Sequence, residues 1–179
     1  MFKKFLPIFI CAALLFTGCK QTGGNGSGNG KNPEGDISTA TSSMSMKLDG
    51  EIAKGNTVKI TVNSSDFDTV FSGVCGFQFF IEYSGMKFVN AQIAQLPQGW
   101  QSTVTSPDNA NGTIKALFDC DFQNDFGNQD IGTFEFEITD DNTNIYIDNI
   151  KLVYPDSSNE NGFSALTLPD ITEFAGNQQ

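Results

Sequence analysis

The feature that most constrains this chain is an apolar side chain at every second position of several short segments. Thr57-Val58-Lys59-Ile60-Thr61-Val62 and Thr133-Phe134-Glu135-Phe136-Glu137-Ile138 show it most clearly. Successive side chains of a strand leave opposite faces, so such segments lie with one face on a core and the other in water. Further candidates occupy 45–48, 76–83, 87–91, 101–105, 113–119, 144–147 with 150–153, and 165–171. They recur at roughly ten-residue spacing, punctuated by Gly-Asn, Asp-Asn and Pro-Asp, and no stretch carries helical periodicity. The pattern predicts an all-β domain over residues 42–175, an antiparallel β-sandwich with jelly-roll topology, with 176–179 as a short tail.

The N-terminal part is of another kind. Met1 to Lys4 is basic, Phe5 to Phe16 is apolar apart from Pro7, and Thr17-Gly18-Cys19 follows. This is an export signal, too short to span a bilayer as a mature helix. Leu15-Phe16-Thr17-Gly18-Cys19 resembles a bacterial lipobox, in which a small residue precedes a Cys that receives lipid. The expectation is a signal peptide over 1–18, lipidation of Cys19 and attachment to a membrane of the bacterial cell envelope, facing outside the cytoplasm. The other reading is an ordinary secretory signal with an incidental Cys. From 19 to 41 the composition turns to Gly, Asn, Ser and Thr, with Gly23, Gly24, Gly26, Gly28, Gly30 and Gly35. Such a stretch buries too little to offset its ordering entropy and reads as a flexible tether.

Composition then excludes several functions. The chain has 10 Lys, no Arg, no His and 21 acidic residues, for a net charge of -11. Without His the Ser-His-Asp and Cys-His nucleophile pairs cannot be built, and without Arg there is no bidentate clamp for phosphate. An acidic chain also repels a polyanion, so nucleic acid is not an expected partner. The cluster Asp119-Cys120-Asp121-Phe122-Gln123-Asn124-Asp125 suggests calcium, but a helical calcium loop begun at Asp121 needs Gly where Phe126 stands and Glu where Gly132 stands. It reads as a solvated connection, as does Asp140-Asp141. No spacing nominates the paired carboxylates of a glycosidase, so neither catalysis, a metal nor a cofactor is expected. The single Trp, Trp100, either plugs the end of a sandwich core or forms a sugar-stacking platform on a loop.

Four segments, taken in order, resemble a family. Gly55-Asn56-Thr57-Val58-Lys59-Ile60-Thr61-Val62, Gly76-Phe77-Gln78-Phe79-Phe80-Ile81-Glu82-Tyr83, Gly112-Thr113-Ile114-Lys115-Ala116-Leu117-Phe118 and Gly132-Thr133-Phe134-Glu135-Phe136-Glu137-Ile138 look like a cohesin domain. Cohesins are the jelly-roll modules of cellulosome scaffolds that bind dockerins. The chain departs from the family after Tyr83, where Ser84-Gly85-Met86 replaces the usual Asp-Pro-aliphatic turn. The resemblance implies a non-catalytic module that holds dockerin-bearing proteins at the cell surface, linked to polysaccharide degradation. A jelly-roll carbohydrate-binding module with polysaccharide as its partner, or a structural envelope lipoprotein, are the other readings.

The resemblance also orders two strands. Cys75 opens one and Cys120 ends another, and in cohesins the corresponding strands are antiparallel neighbours. With Cys11 in the signal and Cys19 lipidated, a disulfide between Cys75 and Cys120 is expected, two reduced core thiols being the alternative. With both cysteines on the core side, Phe77, Phe79, Ile81, Tyr83, Ile114, Ala116 and Phe118 point inward. Gly76, Gln78, Phe80, Lys115, Leu117 and Asp119 then form the outer face, which cohesins use for docking. Phe80 and Leu117 are the informative pair, because a solvated face is polar. Either a partner covers them, or a loop or the terminal strand does.

Overall fold

The computed structural model describes residues 42–67, 73–105, 112–120 and 126–175. Nine strands form: β1 (Ser43–Asp49), β2 (Thr57–Ser65), β3 (Gly76–Ser84), β4 (Met86–Ile93), β5 (Trp100–Thr105), β6 (Thr113–Cys120), β7 (Gln129–Ile138), β8 (Asn144–Pro155) and β9 (Phe163–Thr167). They assemble into two antiparallel sheets, in the orders β1-β2-β7-β4 and β5-β6-β3-β8-β9. Among the described residues there is no helix. The chain crosses repeatedly from one sheet to the other, as a jelly-roll sandwich requires.

Alternation builds the core from both inner faces. Val58 and Ile60 of β2 stand across from Phe136 and Phe134 of β7, and all four are fully buried. Phe134 meets Phe79 of β3 edge to face at 6.1 Å, which joins the two sheets. At one end the packing becomes aromatic: Phe77 stacks on Phe118 at 4.4 Å, and Phe126 packs edge-on to Phe77 at 4.7 Å and to Trp100 at 4.8 Å. Such rings each bury about 150–250 Å², so this cluster carries a large share of the hydrophobic stabilisation.

Two backbone positions fix connections that side chains would block. Gly112, at φ 61°, has Tyr83 O within 2.2 Å of where a Cβ would stand, and Tyr83 N–H donates to Gly112 O at 2.7 Å. Gly85, at φ 68°, makes the turn between β3 and β4, and its carbonyl accepts from the N–H groups of Thr139 and Asp140. The tight turn thus uses Gly85 where the cohesin pattern has Asp-Pro.

The end of the chain departs from the expected terminal strand over 165–171. β9 stops at Thr167, beyond which Leu168 N–H donates to Ile150 O at 3.0 Å and Ile171 exchanges two hydrogen bonds with Ile147. Phe174 then bridges Met46 in parallel, and Ala175 N–H donates to Met46 O at 2.8 Å. The segment passes from the edge of one sheet to the edge of the other because Ile171 and Phe174 both pack on the core.

Candidate functional site

The outer face of the five-stranded sheet follows from its strand registers. On β3 the inward residues Phe77, Phe79, Ile81 and Tyr83 are buried, while Gln78, Phe80 and Glu82 are half-buried on the other side. On β6 Ile114, Ala116 and Phe118 are buried, Lys115 and Asp119 are exposed, and Leu117 is half-buried. Pairing sets Gly76 beside Asp119, Gln78 beside Leu117 and Phe80 beside Lys115. These six residues therefore share one face, with Gly76 contributing only backbone. Lys115 Nζ lies 5.1 Å from the Phe80 ring centroid, a cation–π contact at a partly solvated site. Beside it Thr113 Oγ1 donates to Glu82 Oε2 at 2.7 Å. The terminal strand β9 does not lie over this face; it pairs along β8 in the plane of the sheet.

β8 supplies a third column that the sequence reading did not include. Tyr146 stands across from Glu82, Asp148 from Phe80, Lys151 from Gln78 and Val153 from Gly76, with a break in register between Gln78 and Phe80. The candidates 144–147 and 150–153 are one strand carrying a bulge, at which Asn149 adopts φ 51°. The signal was present: buried Ile145 and Ile147 are odd-numbered, buried Ile150, Leu152 and Tyr154 are even-numbered, and a one-residue slip of phase is how a bulge reads in sequence. At the bulge Gln78 Nε2 donates to Asn149 Oδ1 at 3.4 Å. Burial pushes the Asp148 carboxyl above the usual carboxylate range, and the negative charges of Glu82 and Asp170 add to it.

The disulfide expected between Cys75 and Cys120 is not formed, and both residues are buried thiols. The strands are neighbours as expected, and Cys120 N–H donates to Cys75 O at 3.1 Å. However, Cys75 lies at a bend before β3, where its N–H donates to Val153 O of β8 at 2.8 Å. Its Sγ follows, 3.4 Å from Val153 O, while Cys120 Sγ lies 3.6 Å from Cys75 O and 3.9 Å from Val74 O. The two thiols thus engage carbonyls of different segments, Cys75 on β8 and Cys120 in the connection before β3.

Trp100 is 6% exposed, packed within the aromatic end of the core, so it offers no stacking platform. Tyr83 and Tyr154 are buried as well, and only Tyr146 among the Trp and Tyr side chains of the described residues stands on the outer face. Asp140 accepts from Asn142 N–H at 2.9 Å, the local bond of a solvated turn. Asp156 is held below the usual carboxylate range by hydrogen bonds from Ser158 and Ser164 in the β8–β9 turn. Among the described residues no group of three His, Cys, Asp or Glu is arranged to hold a metal. Cys19 and the acidic run 121–125 lie outside the described residues.

No protein-family model matches this sequence, and no curated protein matches it. Solved structures do resemble it. The third cohesin ScaC of Acetivibrio cellulolyticus, solved in complex with the ScaB dockerin, is similar over 70% of this chain and 99% of that one, with a TM-score of 0.50 and 12% identity. The cohesin module of a Clostridium perfringens family 33 glycoside hydrolase is similar over 75% and 97%, with a TM-score of 0.49 and 9% identity. The first of these establishes a cohesin-like fold at a level where sequence carries almost no signal.

Proposed function

We propose that this domain is a non-catalytic module that binds a dockerin-bearing protein on the outer face of its five-stranded sheet. We infer further that lipid on Cys19 holds it at a bacterial cell surface, in the service of polysaccharide degradation. The observation that carries the reading is the pair Phe80 and Leu117, half-buried at the centre of a face that is otherwise polar apart from Gly76 and Val153 at one end. A face of this composition gains by being covered, and central apolar side chains supply most of the energy of such contacts. The similar Acetivibrio module was solved with a dockerin, which supports a dockerin-type partner. Burial of Trp100, Tyr83 and Tyr154 removes the aligned aromatic platforms that a sugar-binding reading needs.

A pull-down with purified calcium-loaded dockerin modules, run beside sedimentation with insoluble polysaccharide, tests the function. Capture of a dockerin supports the reading. Sedimentation with polysaccharide, or retention on neither, contradicts it. For the anchor, Cys19→Ala removes the acyl acceptor, so the precursor is expected to stay uncleaved by the lipoprotein peptidase and unlabelled by a fatty-acid analogue. Normal processing of that variant would make the signal an ordinary secretory one.

A further inference from the structure

One polar group on the outer face has no partner. Asp148 Oδ1 is closed off from solvent and takes part in no hydrogen bond. A carboxylate oxygen buried without a donor is costly, and native structures keep few such groups. Its position is set by the β8 bulge, which places Asp148 directly across from Phe80 and gives the amide oxygen of neighbouring Asn149 to Gln78. The charges around it are unequally divided. Lys115 of β6 lies over the Phe80 ring, on the side of that residue away from β8. On the β8 side stand Asp148 itself, Glu82 of β3 and Asp170 of the C-terminal segment. Lys151 is three residues along β8, across from Gln78 rather than Phe80. The centre of the face is thus apolar, with a cation on one flank and an unneutralised carboxylate on the other.

We propose that Asp148 is the specificity-determining residue of this face, accepting an ammonium or guanidinium side chain of the docked protein. The proposal rests on the reading of the face as a docking surface. A partner that covers Phe80 strips the remaining water from Asp148, and a charge buried without a counterion opposes binding strongly. A Lys or Arg beside the apolar contact pairs with the carboxylate through Oδ2, the oxygen that is not closed off, and offsets both the uncompensated charge and the repulsion from Glu82 and Asp170. A neutral or acidic residue at that place leaves the carboxylate buried and unpaired, which rejects the partner. The asymmetry also sets orientation, because the same cation on the opposite flank meets Lys115.

The test uses a displayed library of a calcium-loaded dockerin module with its exposed positions randomised, selected separately on the full chain and on its Asp148→Asn variant. Clones selected on the unaltered chain are expected to share a Lys or Arg at one position. They are expected to bind Asp148→Asn at least about tenfold more weakly, about 1.4 kcal/mol. Selection on Asp148→Asn is expected to show no such enrichment. Because the carboxylate is unpartnered before binding, the near-isosteric Asp148→Asn is also expected to raise the thermal midpoint of the free protein at pH 7. Clones that weaken on Leu117→Ala yet share no cation and bind Asp148→Asn equally well would overturn this inference and leave the docking face standing. A library that yields no clone sensitive to Leu117→Ala would overturn the docking reading and this inference with it. Calcium alone binding the unaltered chain and not Asp148→Asn would overturn it by making the carboxylate a metal ligand.

Discussion

On the four-stranded sheet, one row of outward positions reads Lys47, Thr61, Thr133 and Gln92, and the next reads Lys59, Glu135 and Asn90. On the five-stranded sheet the rows read Thr105, Lys115, Phe80 and Asp148, then Thr103, Leu117, Gln78 and Lys151. Both sheets send Phe and Ile inward with the same alternation, so the fold asks nothing different of their outer positions. The first face exposes one apolar side chain, Val89 at the irregularity of edge strand β4, but its centre is polar: Thr61 and Thr133 share a hydrogen bond across the strands at 3.3 Å, and Glu137 stands across from Lys87. The second sets Phe80 and Leu117 half-buried at its centre and leaves a carboxylate oxygen without a donor. Local features that serve neither folding nor solubility mark where function is carried.

The comparison requires that the two faces share one core, and the largest effect tests that. Phe134 of β7 contacts Phe79 of β3 and is fully buried, so Phe134→Ala is expected to cost about 3–5 kcal/mol in chemical denaturation. A single cooperative transition should persist, because neither sheet has a second core to fall back on. Two separated transitions would mean that the sheets are independent.

Trp100→Ala sharpens the contrast between packing and binding. It opens a cavity against Phe77 and Phe126, and a loss of about 3 kcal/mol or more is expected. Binding at the outer face, measured on the folded fraction, should not change. A stable variant that has lost its affinity would place Trp100 in the contact.

The smallest effect separates the faces by pH. Burial, with Glu82 and Asp170, raises the Asp148 carboxyl in the folded state, so between the ordinary carboxylate pKa and the raised value the folded protein binds more protons than the unfolded chain. The contribution of this group to stability therefore falls as pH rises through that window. Comparison of Asp148→Asn with the unaltered protein by pH-dependent denaturation should show this decline removed. Identical pH profiles would mean that the carboxylate is not perturbed.

How far the sequence reaches is clear from particular strands. The alternation of 57–62 and 133–138 gave β2 and the latter part of β7 with their inward residues, because each strand has one buried face and a one-residue shift would expose it. β3 and β6 were legible for the same reason, and with them the positions of Phe80 and Leu117. β8 was harder, since the bulge at Asn149 reverses its phase and makes one strand look like two. Asp148 stayed hidden for that reason. The state of Cys75 and Cys120 depends on a local bend in the backbone, which alternation does not encode. The course of 168–175 is set by single bridges rather than by a continuous ladder, so no period announces it.

The most direct test of the account is titration calorimetry of a captured dockerin module against paired substitutions on the two faces. Phe80→Ala and Leu117→Ala should each weaken binding at least about tenfold, about 1.4 kcal/mol, with the thermal midpoint little changed. Lys59→Ala and Thr133→Ala, on the four-stranded sheet, should leave affinity within about twofold, as expected of positions outside the contact. Loss of affinity on the four-stranded face with Phe80→Ala and Leu117→Ala binding as before would contradict the account.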